Sequence, residues 1–224
     1  MSALDSPNFA VRAIWARPDE SPKWIAERMN VLLRELGQSL NVRSWVPPGG
    51  RAWSGDIDEE AALLRAKTTP TKAEEDGYHL TAFASNAAVH IAASVAAGNP
   101  RIGRRNPSHY AMLDVSPTGP GAVPSLHADA MVTAMVEAWS PLCVTLGPAS
   151  LFRLERRGGW RIPSGYRVWL ADEAASVTRT IDGITMSRLR GGTLLTTPDD
   201  WEAHQVIEAI ARTRELNDLD VVAR

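Results

Sequence analysis

Over residues 9–16 apolar side chains recur at every second position. Phe9, Val11, Ala13 and Trp15 fall on one side; Asn8, Arg12 and Ala16 fall on the other, with Ile14 as the exception. That period predicts a strand. The pattern then changes. After a turn at Arg17-Pro18-Asp19-Glu20, Ser21 stands where helix caps are favoured and Pro22 at the first helical position. Ile25, Met29, Leu32, Leu33, Leu36 and Leu40 follow at helical spacing. They predict an amphipathic helix ending near Gly37 or Leu40.

Between Trp45 and Gly55 the chain turns often, around Pro47-Pro48-Gly49-Gly50. A short helix is predicted from Asp58-Glu59-Glu60 through Leu63 and Leu64, its acidic first turn complementing the helix dipole. Residues 68–77 are polar and read as an exposed connection. Period two returns in Tyr78–Phe83 and Ala87–Val95, where Val89, Ile91, Ala93 and Val95 oppose His90 and Ser94. These are two strands joined near Ser85-Asn86. A basic, turn-rich loop over 98–108 leads to another strand at Tyr110–Val115. Ser125 is expected to cap a helix whose stripe is Ala128, Met131, Val132, Met135 and Trp139. A strand is expected within Cys143–Phe152, a charged turn over 153–159, and a strand through Tyr166, Val168 and Leu170. Short strands between Val177 and Thr197 are broken at Asp182-Gly183 and Gly191-Gly192, which are hairpin signals. Thr197 or Asp199 is expected to cap the last helix, with Asp199 and Glu202 at capping-box spacing and Ala203, Val206, Ile207 and Ile210 as its stripe.

Helices do not regularly separate these strands, which argues against a doubly wound parallel sheet. The expected fold is α+β: one domain with its core over residues 9–216, a largely antiparallel sheet with about three to four helices packed on it.

Composition narrows the function. At 224 residues the chain buries roughly 70–75% of its unfolded surface, so folding needs neither disulfide nor metal. A net charge of −2 is not that of a dedicated nucleic-acid binder. The single Cys143, between Leu142 and Val144, reads as a buried strand thiol. The N-terminus has no basic start followed by an apolar run, so no signal peptide is expected. The low-charge stretch Leu80–Pro100 contains Ser85, Asn86, His90, Ser94 and Asn99 and reads as strands rather than a membrane span. A cytoplasmic location is expected. The eight tryptophans read mainly as core, with one or two as interface anchors.

No pattern carries catalysis. Gly191-Gly192-Thr193 lacks the spacing and the lysine of a phosphate loop, and Ser164-Gly165 lacks the second glycine of a nucleophile elbow. No two of the five histidines lie closer than eleven residues, whereas zinc sites show close ligand pairs. No catalytic residue, cofactor or metal is therefore expected. A composite hydrolase site with His90, His109 or His127 beside a carboxylate, or an adaptor subunit, is the alternative. The basic clusters Arg101, Arg104, Arg105 and Arg153, Arg156, Arg157, Arg161 read as loop tips, with Trp160 the one aromatic placed to stack on a base. Two acidic runs, Asp56, Asp58, Glu59, Glu60 and Glu74, Glu75, Asp76, are expected to form a docking surface for a protein partner, with Trp53 as its anchor.

Three segments resemble one family. Phe9–Trp15 through Ser21, Val136-Glu137-Ala138-Trp139-Ser140-Pro141, and Gly191-Gly192-Thr193-Leu194-Leu195 with the helix after Pro198 are similar to the immunity protein 52 family of bacterial polymorphic-toxin systems. The resemblance runs from about residue 9 to 216 and is weakest over 45–110. It implies a cytoplasmic immunity protein that binds a cognate toxin domain stoichiometrically. The implied toxin is a nuclease of restriction-endonuclease type, delivered by contact-dependent secretion such as type VI. It carries over no catalytic residue.

Overall fold

The computed structural model describes residues 3–18 and 20–224, so Asp19 of the expected turn lies outside the described residues. Eight strands, all paired antiparallel, form one sheet: β1 (Phe9–Trp15), β2 (Tyr78–Ser85), β3 (Val89–Ala97), β4 (His109–Pro117), β5 (Cys143–Pro148), β6 (Arg167–Ala171), β7 (Thr185–Leu189) and β8 (Gly192–Thr196). Their spatial order is β2-β3-β4-β1-β5-β6-β8-β7. The first strand in sequence therefore sits in the middle of the sheet. The helices are α1 (Pro22–Leu40), α2 (Ile57–Lys67), α3 (Pro70–Asp76), α4 (Ser125–Trp139), α5 (Ala149–Glu155) and α6 (Ala203–Leu216).

The architecture is α+β and antiparallel as expected, but the described residues form six α-helices where three to four are expected. The two extra ones are seven-residue helices, too short to show a stripe. Thr69 caps α3 through its hydroxyl, Pro70 starts it, and Gly77 at φ 75 ends it where a Cβ would overlap Ala97 O. The second, α5, begins directly after Pro148, so β5 stops there and does not run on toward Phe152. Two caps also differ. Ser125 is the first residue of α4 rather than its cap, and it bonds Asp199. The capping box of α6 pairs Glu202 with Gln205, because Asp199 is engaged by Arg167.

Helices α1 and α4 cover one face of the sheet, with α2 packed beside α1. Trp139 of α4 stacks on Trp15 of β1, ring centroids 5.1 Å apart and nearly parallel, and Trp24 of α1 tilts against it at 5.9 Å. Such pairs add about 0.5–1.5 kcal/mol each beyond their burial. On the same face Glu20 is buried; it accepts from Trp15 Nε1 (2.5 Å) and Gly98 N (2.8 Å) and lies 3.5 Å from the buried His109. Helix α5 lies on the opposite face, where Phe152 packs on Gly147, and α6 is tied to it by Arg214–Glu155.

Strand sequences reflect this cover. Every residue of β5 and β6 is buried, as expected of strands covered on both sides. Strands β2, β3 and β4 alternate instead. The β7–β8 hairpin turns on Arg190-Gly191, both at positive φ as a two-residue turn of this hand requires. Gly192 then opens β8 beneath the Trp169 ring, where a Cβ would not fit.

Candidate partner-binding surface

The register places particular residues on the second face of β2, β3, β4 and β1. One row across the four strands is Phe83, Ala92, Asp114 and Ala10; the next is Thr81, Ser94, Met112 and Arg12. The rows on either side carry Ser85, His90 and Ser116, and His79, Ala96, Tyr110 and Ile14. Small residues dominate, so the surface is low, with Phe83, Met112, Tyr110, His90 and Arg12 rising from it. Phe83 is 50% exposed. On β3 and β4 this face is exposed or partly exposed at His90, Ala92, Ser94, Tyr110, Met112, Asp114 and Ser116. At a strand spacing of about 4.8 Å and a rise of about 3.3 Å per residue, the bare area is roughly 400 Å². That is about half of what one side of a stable protein complex buries, so the rims must contribute the rest.

One rim is the segment 41–46. Val46 bridges the edge strand, its N–H donating to Phe83 O (2.8 Å) and its carbonyl accepting from Phe83 N (3.0 Å). Between this segment and the sheet lies a concavity of 870 Å³, which reaches Arg43, Phe83, His90 and Asp114. Across the sheet a smaller pocket of 220 Å³ is lined by Ile14, Met112, Cys143 and Phe152 with Arg12, Arg157 and Arg161.

The charges on this face are unsatisfied. Arg12 is solvent-accessible but rises from the middle of the sheet, where desolvation lowers its pKa below the ordinary arginine value. It lies over the Tyr110 ring at 5.6 Å and has no carboxylate at salt-bridge distance among the described residues. Asp114 also lacks an ion-pair partner among the described residues, and desolvation raises its carboxyl above the usual range. Beneath them burial pushes the Cys143 thiol to about 12, the hydrogen bond to Thr145 opposing that only in part. Cys143 is the buried strand thiol its neighbours predict.

The acidic residues singled out from the sequence lie elsewhere. Asp56 caps α2, accepting from the backbone of Asp58 and Glu59 (3.0 Å each). Asp58 pairs with Lys23 at 3.3 Å and Glu59 with Arg51. Glu60 is buried and accepts from Ser54 N and Oγ (2.7 and 2.9 Å). Trp53 is half-buried, and its Nε1 donates to Asn30. Glu74, Glu75 and Asp76 are exposed at the end of α3. None of the eight tryptophans is fully exposed. The histidines do not converge, and among the described residues no group of three or more His, Cys, Asp or Glu could hold a metal ion.

Sequence spacing did not reveal that the two basic loops meet. Trp160 is buried and donates from Nε1 to Gly103 O at 3.1 Å, and Gly159 (φ 70) packs on Arg105 O. Arg224 lies over Trp160 at 5.1 Å and bonds Gly103 O. Arg101, Arg104, Arg105, Arg156 and Arg161 make no ion pair among the described residues.

No family model matches the chain, and no curated protein does. Among solved structures it is similar to the Pseudomonas aeruginosa T6SS protein PA0821. The likeness covers 93% of this chain and 76% of that one, with a TM-score of 0.54 and 10% sequence identity. At that identity the likeness is one of fold. Among the described residues no helix is long and apolar enough to cross a membrane.

Proposed function

We propose that this chain is an immunity protein of a type VI secretion setting, acting in the cytoplasm, which binds a cognate toxin domain on the open sheet face and holds it inactive by stoichiometric complex formation. One observation carries the reading: a sheet covered by helices on one side leaves much of β2, β3, β4 and the Arg12 position of β1 open on the other, with an exposed Phe83 and two partly desolvated charges that have no ion-pair partner among the described residues. Leaving such groups at a surface costs stability, and a partner that covers and pairs them recovers it. Binding rather than catalysis is the chemistry this arrangement suits. The fold likeness to a T6SS protein supports the setting. The sequence resemblance supports the toxin class, a nuclease. The exposed carboxylates of α2 and α3 act as steering charges at the periphery.

The test is co-expression with the product of the neighbouring gene. Growth is expected to be protected by the wild-type chain and lost with Phe83→Asp combined with Met112→Asp, the double variant melting like the wild type. Equal protection by the double variant refutes the placement, and no protection by the wild type refutes the function.

A further inference from the structure

The pocket beside Arg12 has a more specific use, one that rests on the partner-binding reading. Its 220 Å³ falls below the roughly 300–1,000 Å³ of small-molecule sites and suits a single side chain. Its floor is apolar: Ile14, the exception in the β1 alternation, with Met112, Cys143 and Phe152. Its polar lining is cationic. Arg157 is already held by Asp220, and its buried Nε, without a hydrogen bond, faces Glu155 Oε1 at 4.0 Å. Arg12 has no carboxylate at salt-bridge distance among the described residues, and Arg161 makes no ion pair there, although its charge is felt by Asp220. Beyond the pocket the fused basic loops add Arg104, Arg105 and Arg156, also unpaired there.

The aromatics that a nucleic acid would need are committed. Trp160 is buried with its N–H on Gly103 O, and the Tyr110 ring carries Arg12. Stacking on bases is what gives single strands their affinity. Two guanidinium groups without an ion-pair partner among the described residues, over an apolar floor, match a carboxylate attached to an apolar body.

We infer that this pocket is an anchor site for an acidic segment of the partner protein, taking one apolar side chain onto Met112 and Phe152 while Arg12 and Arg161 receive the adjacent carboxylate. The partner surface that meets the β1–β5 side is therefore acidic, opposite in sign to the loops around it.

The test uses the full chain with methyl-labelled methionine, reading the Met112 methyl by NMR during titration with the C-terminal amide of N-acetyl-leucyl-glutamate, whose only carboxylate is the side chain's. A saturable millimolar shift is expected. The glutamine analogue is expected to bind about tenfold more weakly. Arg12→Met abolishes the shift, and Arg12→Lys retains part of it with an unchanged thermal melt. No shift, or equal response to the glutamine analogue, overturns the inference whatever the partner. A single-stranded oligonucleotide that moves Met112 more tightly, in an Arg12-dependent way, overturns it in favour of nucleic acid. In parallel, Arg12→Met is expected to weaken the complex with the neighbouring gene product about tenfold or more and to flatten its salt dependence. An unchanged complex sinks the anchor and leaves the function standing. A bound dipeptide with no wild-type complex sinks the function and leaves the anchor.

Discussion

Arg167 of β6 ties three elements together, and its removal has a calculable cost. Its side chain is 3% exposed and makes ion pairs with Asp129 of α4 at 2.6 Å and Asp199, ahead of α6, at 2.7 Å. Its Nη1 also donates to the carbonyls of Tyr166 and Thr197 (3.0 and 3.4 Å). Burial alone pushes its pKa down, but the hydrogen bonds to Asp199 and Asp129 outweigh that and hold it above the ordinary arginine value. Arg167→Met leaves Asp199, 16% exposed, without a cation and takes a donor from the Thr197 carbonyl, while Tyr166 O keeps its bond from Thr197 N at 3.0 Å. Removing one member of a buried pair costs about 3–5 kcal/mol. For a chain of this length each kcal/mol moves Tm by about 2–4 °C, so a drop of about 6–20 °C is expected. Asp129, nearly half exposed, is the weaker arm, and Asp129→Asn is expected to cost under about 1 kcal/mol. Urea and thermal melts followed by tryptophan fluorescence measure the free-energy losses and the Tm drop respectively. A loss below about 1 kcal/mol for Arg167→Met refutes the clamp. If that variant fails to fold, Asp199→Asn tests the same arm with an intermediate loss.

Three further outcomes follow from the structure. With its pKa near 12, Cys143 is expected to react with a thiol reagent at pH 8 about three orders of magnitude more slowly than in the urea-unfolded chain, whose thiol titrates near 8.5; comparable rates contradict its burial. Asp114 binds its proton more tightly folded than unfolded, so its contribution to stability falls as pH rises from the unfolded value near 3.9 through the raised folded one. Asp114→Asn is therefore expected to stabilise at pH 7 and to change nothing at pH 3, and a stability loss at pH 7 in paired denaturant melts would contradict the desolvation. Gly159→Ala forces a side chain at φ 70 into Arg105 O, at a cost of about 1–2 kcal/mol, and limited trypsin digestion is expected to cut the loosened loop after Arg104 or Arg105 faster than in the wild type.

Much of the fold was legible because its signals are local. The Ser21-Pro22 cap and the leucine stripe gave α1, and period two gave β1 through β4. What was missed depends on partners distant in sequence. Spacing offers Thr197 or Asp199 as the last-helix cap, while the fold draws Asp199 to an arginine on β6 and leaves the cap to Glu202. The short helices α3 and α5 bury too little to leave a pattern. The open face had a readable trace: β3 and β4 place His90, Ser94, Met112 and Asp114 opposite their apolar rows, whereas β5 and β6 are buried throughout and carry only Thr145 and Arg167 as polar side chains. Spatial adjacency made it a surface, and sequence order hides that, because β1 joins β4 only across the whole first half of the chain.

The most direct test of the central claim is hydroxyl-radical footprinting of the chain with and without the neighbouring gene product. Protection of Phe83, Met112 and Tyr110, with Met186 on the far edge strand unchanged, is the predicted result. A stable complex that protects other residues while leaving Phe83 and Met112 as reactive as in the free chain contradicts it.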